Sequence, residues 1–477
     1  MRILFTLIAT SILTWNVTVA AATKPGPLKA GAATSNITPP LGANIVGGFK
    51  PSPSTHIHDE LHVRCLVLDN GEKRLALVVC DLLGLHRSVS DEARRLIQTE
   101  TGIPREQVLI SATHTHSASA AHGVTRYKNE QVLDEYQTFV ARRIADGVRR
   151  AVNLLRPAEI AFGTAEAPEH VFNRRWFMRP GTVPPNPFGG TDLVKMNPPS
   201  GSPNLTEPAG PVDPTVSFLA VRDLDGKPIS LYAAYSLHYV GDVGPAHISA
   251  DYFAIFCEEL TRLQGLDHQD PPYVALMANG TSGDINNISF KVPRPAKPTY
   301  GQMRYVASDV AQKVHAAMKD LKYKREVVLD ARYREVPIGS RRPTAEQLAW
   351  AQQTLAAAPS DKAAWDLSAI YADRVQHLAQ ADETVPTPLQ VLRIDSVMIG
   401  SLPTEVFVEI GLEFKDRSAL KPAFLVSIAH GFFGYLPSPR HFDLGGYETW
   451  IGTNRLERDA SVKMLNNLVE MTQELAK

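Results

Sequence analysis

From Arg74 to Ala112 the chain runs apolar strand, amphipathic helix, apolar strand, and this succession constrains the fold more than any other stretch. Arg74 to Asp81 and Gln107 to Ala112 are Val/Leu-rich runs of the kind that a sheet buries on both faces. Between them, Ser88 to Thr101 places Val89, Ala93, Leu96 and Ile97 on one helical face. Glu130 to Leu155 then reads as a long amphipathic helix stopped by Pro157. The alternation resumes with strands at Val216 to Val221 and Leu231 to Leu237, a helix at Tyr252 to Gln264 and a buried strand at Tyr273 to Met277. A helix at Tyr300 to Lys322 and an alternating strand at Glu326 to Val336 follow. The pattern predicts an α/β fold, a mixed β-sheet core flanked by helices. No internal repeat or linker interrupts it, so a single large catalytic domain over 23–477 is expected.

The ends and the charge balance narrow the function classes. Arg2, the apolar run Ile3 to Leu13 and the small residues Val19-Ala20-Ala21-Ala22 read as the three regions of a secretory signal peptide over 1–22. That reading predicts an exported chain, secreted or periplasmic. The apolar run falls short of the roughly 20 residues of a membrane span, and no later stretch approaches that length, so no transmembrane segment is expected after signal cleavage. Lys+Arg 49 against Asp+Glu 50 leaves a formal net charge of −1 and no basic field to recruit nucleic acid. Cys65, Cys80 and Cys257 sit in apolar sequence without paired spacing and read as buried free thiols, a Cys65–Cys80 bridge being the alternative. The chain has no CxxC, no Gly-rich phosphate loop and no GxSxG elbow.

Chemistry concentrates where apolar runs end. Val108-Leu109-Ile110 leads into Thr113-His114-Thr115-His116. Two residues apart on an extended segment, both rings would face one way, as a metal ligand and a neighbouring proton-transfer group. The same pair also suits a polar strand exit bonded to backbone. His238 follows Leu231 to Leu237, and Gly400 to Glu405 brings a carboxylate to a third exit, after a strand pair at Val391 to Ile399. Ala278 to Asn287 is a small-residue loop that either admits close backbone approach to a ligand or forms a tight turn. Asn173-Arg174-Arg175-Trp176 lies in a Pro/Gly/Asn-rich stretch, 167–213, that reads as a long functional loop. A helical insertion at about 343–383, broken near Pro359, shows no chemistry and reads as packing or a lid.

Taken in order, these motifs resemble the neutral, non-lysosomal ceramidase family, in its N-terminal catalytic domain. The resemblance runs from Asn36-Ile37-Thr38-Pro39 to Gly446-Tyr447-Glu448 and is most specific at Ala112-Thr113-His114-Thr115-His116-Ser117. It continues at His238 with Ile248-Ser249-Ala250-Asp251, at Pro403-Thr404-Glu405 and at Gly434-Tyr435. It implies a zinc amidohydrolase acting on the N-acyl bond of ceramide, with Zn²⁺ held by His114, His238, Glu405 and Tyr435. His116 matches the second active-site histidine, a proton shuttle, and Arg174 an arginine beside the reacting carbonyl, a donor to its oxyanion. Imidazole and carboxylate are zinc donors; phenolate is uncommon, so Tyr435 is either a loose ligand or an oxyanion stabiliser. The ion would acidify water and polarise the acyl oxygen.

Three departures bear on what this implies. The chain ends soon after Glu448, so no C-terminal immunoglobulin-like domain is expected. The family's Gly-Asp-Val-Ser-Pro-Asn loop reads Gly283-Asp284-Ile285-Asn286-Asn287, and the asparagine in the serine's place is no nucleophile. Met178 to Pro211 announces no long apolar groove for a two-chain lipid. Three readings follow: an exported ceramidase-like zinc hydrolase cleaving an N-acyl amide bond, an ester being the alternative; a zinc hydrolase of a small polar or carbohydrate-derived amide or ester; and a non-catalytic metal-binding envelope protein on the same scaffold. No oligomeric signal is legible.

Overall fold

The computed structural model describes residues 24–119, 121–122 and 128–477; the signal segment lies outside them. The apolar runs pair into one eight-stranded mixed sheet. Its strands are β1 (Lys29–Asn36), β2 (His62–Asp69), β3 (Arg74–Cys80), β4 (Val108–Ala112), β5 (Arg156–Glu166), β6 (Thr215–Asp223), β7 (Pro228–Tyr235) and β8 (Val274–Asn279). The order is β8-β7-β6-β5-β1-β2-β3-β4. The six inner strands are antiparallel neighbours, whereas each edge strand runs parallel to the strand beside it. Parallel neighbours need a crossover, and helices α1 (Arg87–Thr101) and α3 (Asp251–Leu263) supply one at each edge. Helices α2 (Glu135–Asn153) and α4 (Gly301–Ala317) complete the layer over that face. Apolar side chains from α1 and α2 pack under β2, β3 and β4, and those of α3 and α4 under β6, β7 and β8.

The other face of the sheet is covered by a second, four-stranded sheet. It is built from β9 (Leu329–Gly339), β10 (Thr384–Ile394), β11 (Val397–Ser401) and β12 (Ala423–Val426), in that order. Leu66, Leu77 and Leu276 meet Leu392, Ile399 and Phe424 between the two sheets. The β11–β12 pair is again parallel, crossed over by a helix, Val408–Arg417. That helix and the C-terminal helix Ala460–Ala476 bury the outer face of the second sheet. The result is a helix–sheet–sheet–helix stack, an α/β fold with three strand–helix–strand crossovers.

Several expectations shift at their edges, each for a local reason. Helix α2 starts at Glu135, not Glu130, because Asp134 caps it: its carboxylate accepts from Gln137 N (2.8 Å) while the Gln137 side chain accepts from Asp134 N (3.0 Å). The strand expected at Glu326 to Val336 lies at Leu329–Gly339, in full register with Thr384–Ile394. The long loop at 167–213 holds a small three-stranded sheet of Arg175–Met178, Val194–Met196 and Leu205–Pro208. The insertion forms two helices, Ala345–Ala357 and Leu367–Ala379, that pack through Ala351, Ala372, Val375 and Leu378. All three cysteines are free and buried, which removes the Cys65–Cys80 bridge. Among the described residues, no helix is long and apolar enough to cross a membrane.

Asp251 opens α3 at φ +59° and is fully buried. Its carboxylate accepts from the backbone N–H of Val240 (3.1 Å), Gly241 (2.8 Å) and Tyr252 (2.6 Å). Burial outweighs these bonds and pushes its pKa up to about 6. A carboxyl raised in the fold contributes stability that is complete below its unfolded value and lost as pH rises through the folded one. Wild type should therefore lose stability relative to Asp251→Asn between about pH 4 and pH 7, by up to about 3 kcal/mol. Thermal melts of both proteins across that range check this; a difference that does not move with pH would contradict it.

Candidate functional site

The three crossovers matter because the chain's imidazoles and carboxylate leave from their strands. His114 follows β4, His238 follows β7 and Glu405 follows β11. The two edges of the large sheet are drawn together at this end: Asn279 Nδ2, at the tip of β8, donates to the Thr113 carbonyl beyond β4 (3.0 Å). The segment after β12 bonds to the ends of β4, β8 and β11. Ser427 N donates to Asn279 O (2.9 Å), Ala112 N to Ile428 O (3.1 Å) and Ile428 N to Thr404 O (3.1 Å).

His114 takes a left-handed backbone, φ +72°, so it is not on an extended run with His116. The turn nevertheless brings the two rings edge to face, with centroids 4.7 Å apart. His114 Nε2 lies 3.1 Å from His116 Nε2 and 3.3 Å from Glu405 Oε2, and His238 Nε2 lies 3.8 Å from the same carboxylate oxygen. All three rings are turned by main-chain carbonyls: His114 Nδ1 bonds Leu83 O (2.7 Å), His238 Nδ1 bonds Ser282 O (2.9 Å), and the His116 ring bonds the Gly47 backbone. Carbonyls accept only, so for His114 and His238 the proton is on Nδ1 and the Nε2 lone pair faces the centre. Burial, followed by neighbouring positive groups, holds His116 and His238 well below the usual imidazole range and so uncharged. His116 is further clamped by a face-to-face stack on Tyr239 (3.8 Å between centroids).

This donor set fits a zinc ion. The donor atoms of His114, His116 and His238 all lie within 4.8 Å of one another. Ligands on a tetrahedral zinc at 2.0–2.1 Å would stand about 3.3 Å apart, close to the spacings above. His238 Nε2 and Glu405 Oε2 are buried without any hydrogen-bond partner among the described residues. A buried acceptor left without a donor is costly, and a cation satisfies both. A second group, Glu169, His170 and Asp309, fits less well, because Lys313 already lies 3.0 Å from Asp309 and also pairs with Glu169.

Tyr435 and Arg174 join the cluster from the other side. Tyr435 stands beside Glu405 and Arg174, and burial pushes the phenol well above its usual range despite the adjacent guanidinium. Arg174 Nε donates to Glu448 (2.9 Å) and its Nη2 to the Gly283 carbonyl (2.8 Å). Arg175 donates to the other Glu448 oxygen (2.7 Å), so one fully buried carboxylate orders two buried guanidiniums. The cavity in front of the cluster, about 350 Å³, is lined by His114, His116, Glu405 and Tyr435 but not by Arg174. The Arg174 guanidinium lies over the Tyr435 ring, 5.4 Å from its centre. Asn286 is tied to Asn197 (3.1 Å) and does not line the cavity either.

Sequence reasoning left Glu448 and Arg175 without a role, and gave none to Arg374 in the insertion, which lines the same cavity. The adjacent pair Arg174-Arg175 facing a lone acidic residue far along the chain was the available signal for the first two. Gly47 is a further requirement: at φ +136°, a Cβ there would fall 2.8 Å from His116 Cβ.

No protein-family model matches the chain. Among solved structures it is similar to a ceramidase complexed with C2, at 17% identity and a TM-score of 0.69, covering 94% of this chain and 75% of that one. It is also similar to the neutral ceramidase from Pseudomonas aeruginosa, at 18% identity and a TM-score of 0.65, over 94% of this chain and 74% of that one. The chain therefore has a neutral ceramidase-like fold.

Two measurements follow from the geometry. Elemental analysis should find stoichiometric zinc in the wild type, its loss in His114→Ala, His238→Ala and Glu405→Gln, and its retention in His116→Ala; zinc loss in the last would make His116 a ligand. Glu448→Gln removes the shared carboxylate from two buried guanidiniums and should cost about 3–5 kcal/mol in denaturant unfolding.

Proposed function

We propose that this chain is an exported, zinc-dependent amidohydrolase that cleaves an N-acyl bond. The observation that carries the reading is the convergence of three imidazoles and Glu405 on one buried point, with two acceptor atoms unsatisfied there. The ceramidase-like fold supports the choice of an acyl amide, and the names of its structural neighbours make a lipid amide, ceramide included, the first substrate to try. Export, to the periplasm or outside the cell, rests on residues 1–22 alone.

In this reading His114, His238 and Glu405 hold the ion, with Tyr435 at its margin. Zinc supplies Lewis acidity towards an acyl oxygen and towards water. The chain's own groups do the rest. His116, kept uncharged by burial, accepts a proton from attacking water and returns it to the departing amine nitrogen. Tyr435, on the cavity wall, stabilises negative charge developing on the acyl oxygen, and the Arg174 guanidinium over its ring adds positive charge beside it. Water is the nucleophile, since Asn286 is neither nucleophilic nor in the cavity.

The test pairs a fluorescent N-acyl sphingosine with a panel of soluble N-acyl amides. Zinc-loaded wild type should release the acyl group from at least one of them. Chelation, His114→Ala or Glu405→Gln should reduce turnover on the order of a thousandfold or more. Protein that binds no metal and cleaves nothing would instead be a non-catalytic scaffold.

A further inference from the structure

The cavity that the histidine cluster opens into is small and carries excess positive charge. Its volume, about 350 Å³, stands at the low end for ligand pockets. Two guanidiniums, Arg374 and Arg455, line it together with the cluster, and the only carboxylate among its described lining residues is Glu405, the cluster's own. A bound divalent ion would raise the positive excess further. Low-dielectric walls focus such a field and favour an anion inside.

The arginines are placed rather than merely near. Arg374 lies over the rings of Phe49 (5.4 Å) and Tyr371 (4.9 Å) and donates to Thr453 Oγ1 (3.4 Å). Arg455 is buried, its guanidinium 5.7 Å from the centre of Phe432. Ring stacking sets the plane of a guanidinium, and the N–H groups at its edge match a carboxylate two at a time. Phe49, Pro51 and Arg374 also line a neighbouring cavity of about 560 Å³, whose wall adds Lys50 and Lys362 against one carboxylate, Asp373. The approach to the site is therefore cationic as well. Arg374 belongs to the helix Leu367–Ala379, so the insertion supplies charge to the cavity as well as packing.

We propose that the substrate is an N-acyl amide bearing a carboxylate, which Arg374 and Arg455 hold while the amide carbonyl faces the histidine cluster. The inference rests on the hydrolase reading above and specifies its substrate class. A neutral two-chain lipid uses neither guanidinium; an N-acyl amino acid uses both the apolar ring faces and the cationic edge.

The test uses full-length, zinc-loaded protein and two compounds that differ only in charge, N-hexanoylglycine and its neutral counterpart N-hexanoylglycinamide. The kcat/KM should favour the carboxylate by about tenfold or more. The preference should fall towards one in Arg374→Gln and in Arg455→Gln, survive in part in Arg374→Lys, and weaken with added salt. Turnover that favours the neutral compound, or a preference unchanged in both glutamine variants, overturns the proposal and leaves the hydrolase reading standing. Where neither compound is cleaved, ligand-observed NMR on the same pair decides. Arginine-dependent binding of the carboxylate alone supports anion recognition, and the hydrolase reading is then decided by the N-acyl sphingosine and amide panel. Absence of both turnover and preferential binding overturns the proposal of a carboxylate-bearing substrate.

Discussion

The segment Ser427 to His430 holds the molecule's working end together. Its backbone bonds to the tips of β4, β8 and β11 at once, and His430 N adds a further bond to Ile110 O (2.8 Å). Without that stitch the two edges of the eight-stranded sheet would diverge with its natural twist. Their strand exits would then lie too far apart to share a ligand. The stitch is strained: Ile428 and His430 both have positive φ, +53° and +64°, and a β-branched residue rarely adopts that region. Such conformations cost on the order of 1–3 kcal/mol each and persist only where surrounding bonds over-determine them. Here the main-chain bonds of residues Ser427 to His430 and that of the His430 ring to Gln390 (3.0 Å) do so.

The same logic explains why the donors come from crossovers. An antiparallel strand turns back through a hairpin and leaves little room at its end. A parallel one must leave the sheet, cross over and return, so its C-terminal end opens into a loop of free shape. The end of β4 contributes His114 and His116, that of β7 His238 and that of β11 Glu405, two strands from the large sheet and one from the small. Packing of the sheets face to face then fixes the distance between contributions that lie hundreds of residues apart in the chain.

How much of this could be read in the amino-acid order follows from the range of each interaction. Alternation of apolar strands and amphipathic helices is local, and it announced the α/β fold and most of its elements. Histidines and a glutamate at the ends of apolar runs are local too, and His114, His116, His238 and Glu405 do meet, with Tyr435 and Arg174 beside them. What escaped depends on contacts between distant segments. The Glu448 carboxylate serving Arg174 and Arg175 spans the chain from residue 174 to residue 448. Arg374 reaches the cavity only because its helix folds over Phe49. The Arg174 side chain is likewise fixed by the Gly283 carbonyl and Glu448, partners that no spacing rule encodes.

The way the rings are held has an evolutionary consequence. At residues 83 and 282 the partner of each imidazole is a peptide oxygen, which every amino acid possesses. Substitution there can alter packing without removing the acceptor that sets the tautomer. Residue 47 is the exception, since any side chain would collide with His116. Sequence drift around this cluster is therefore tolerated at two of the three anchoring positions and punished at the third, so the chemistry can outlast most of the letters that surround it.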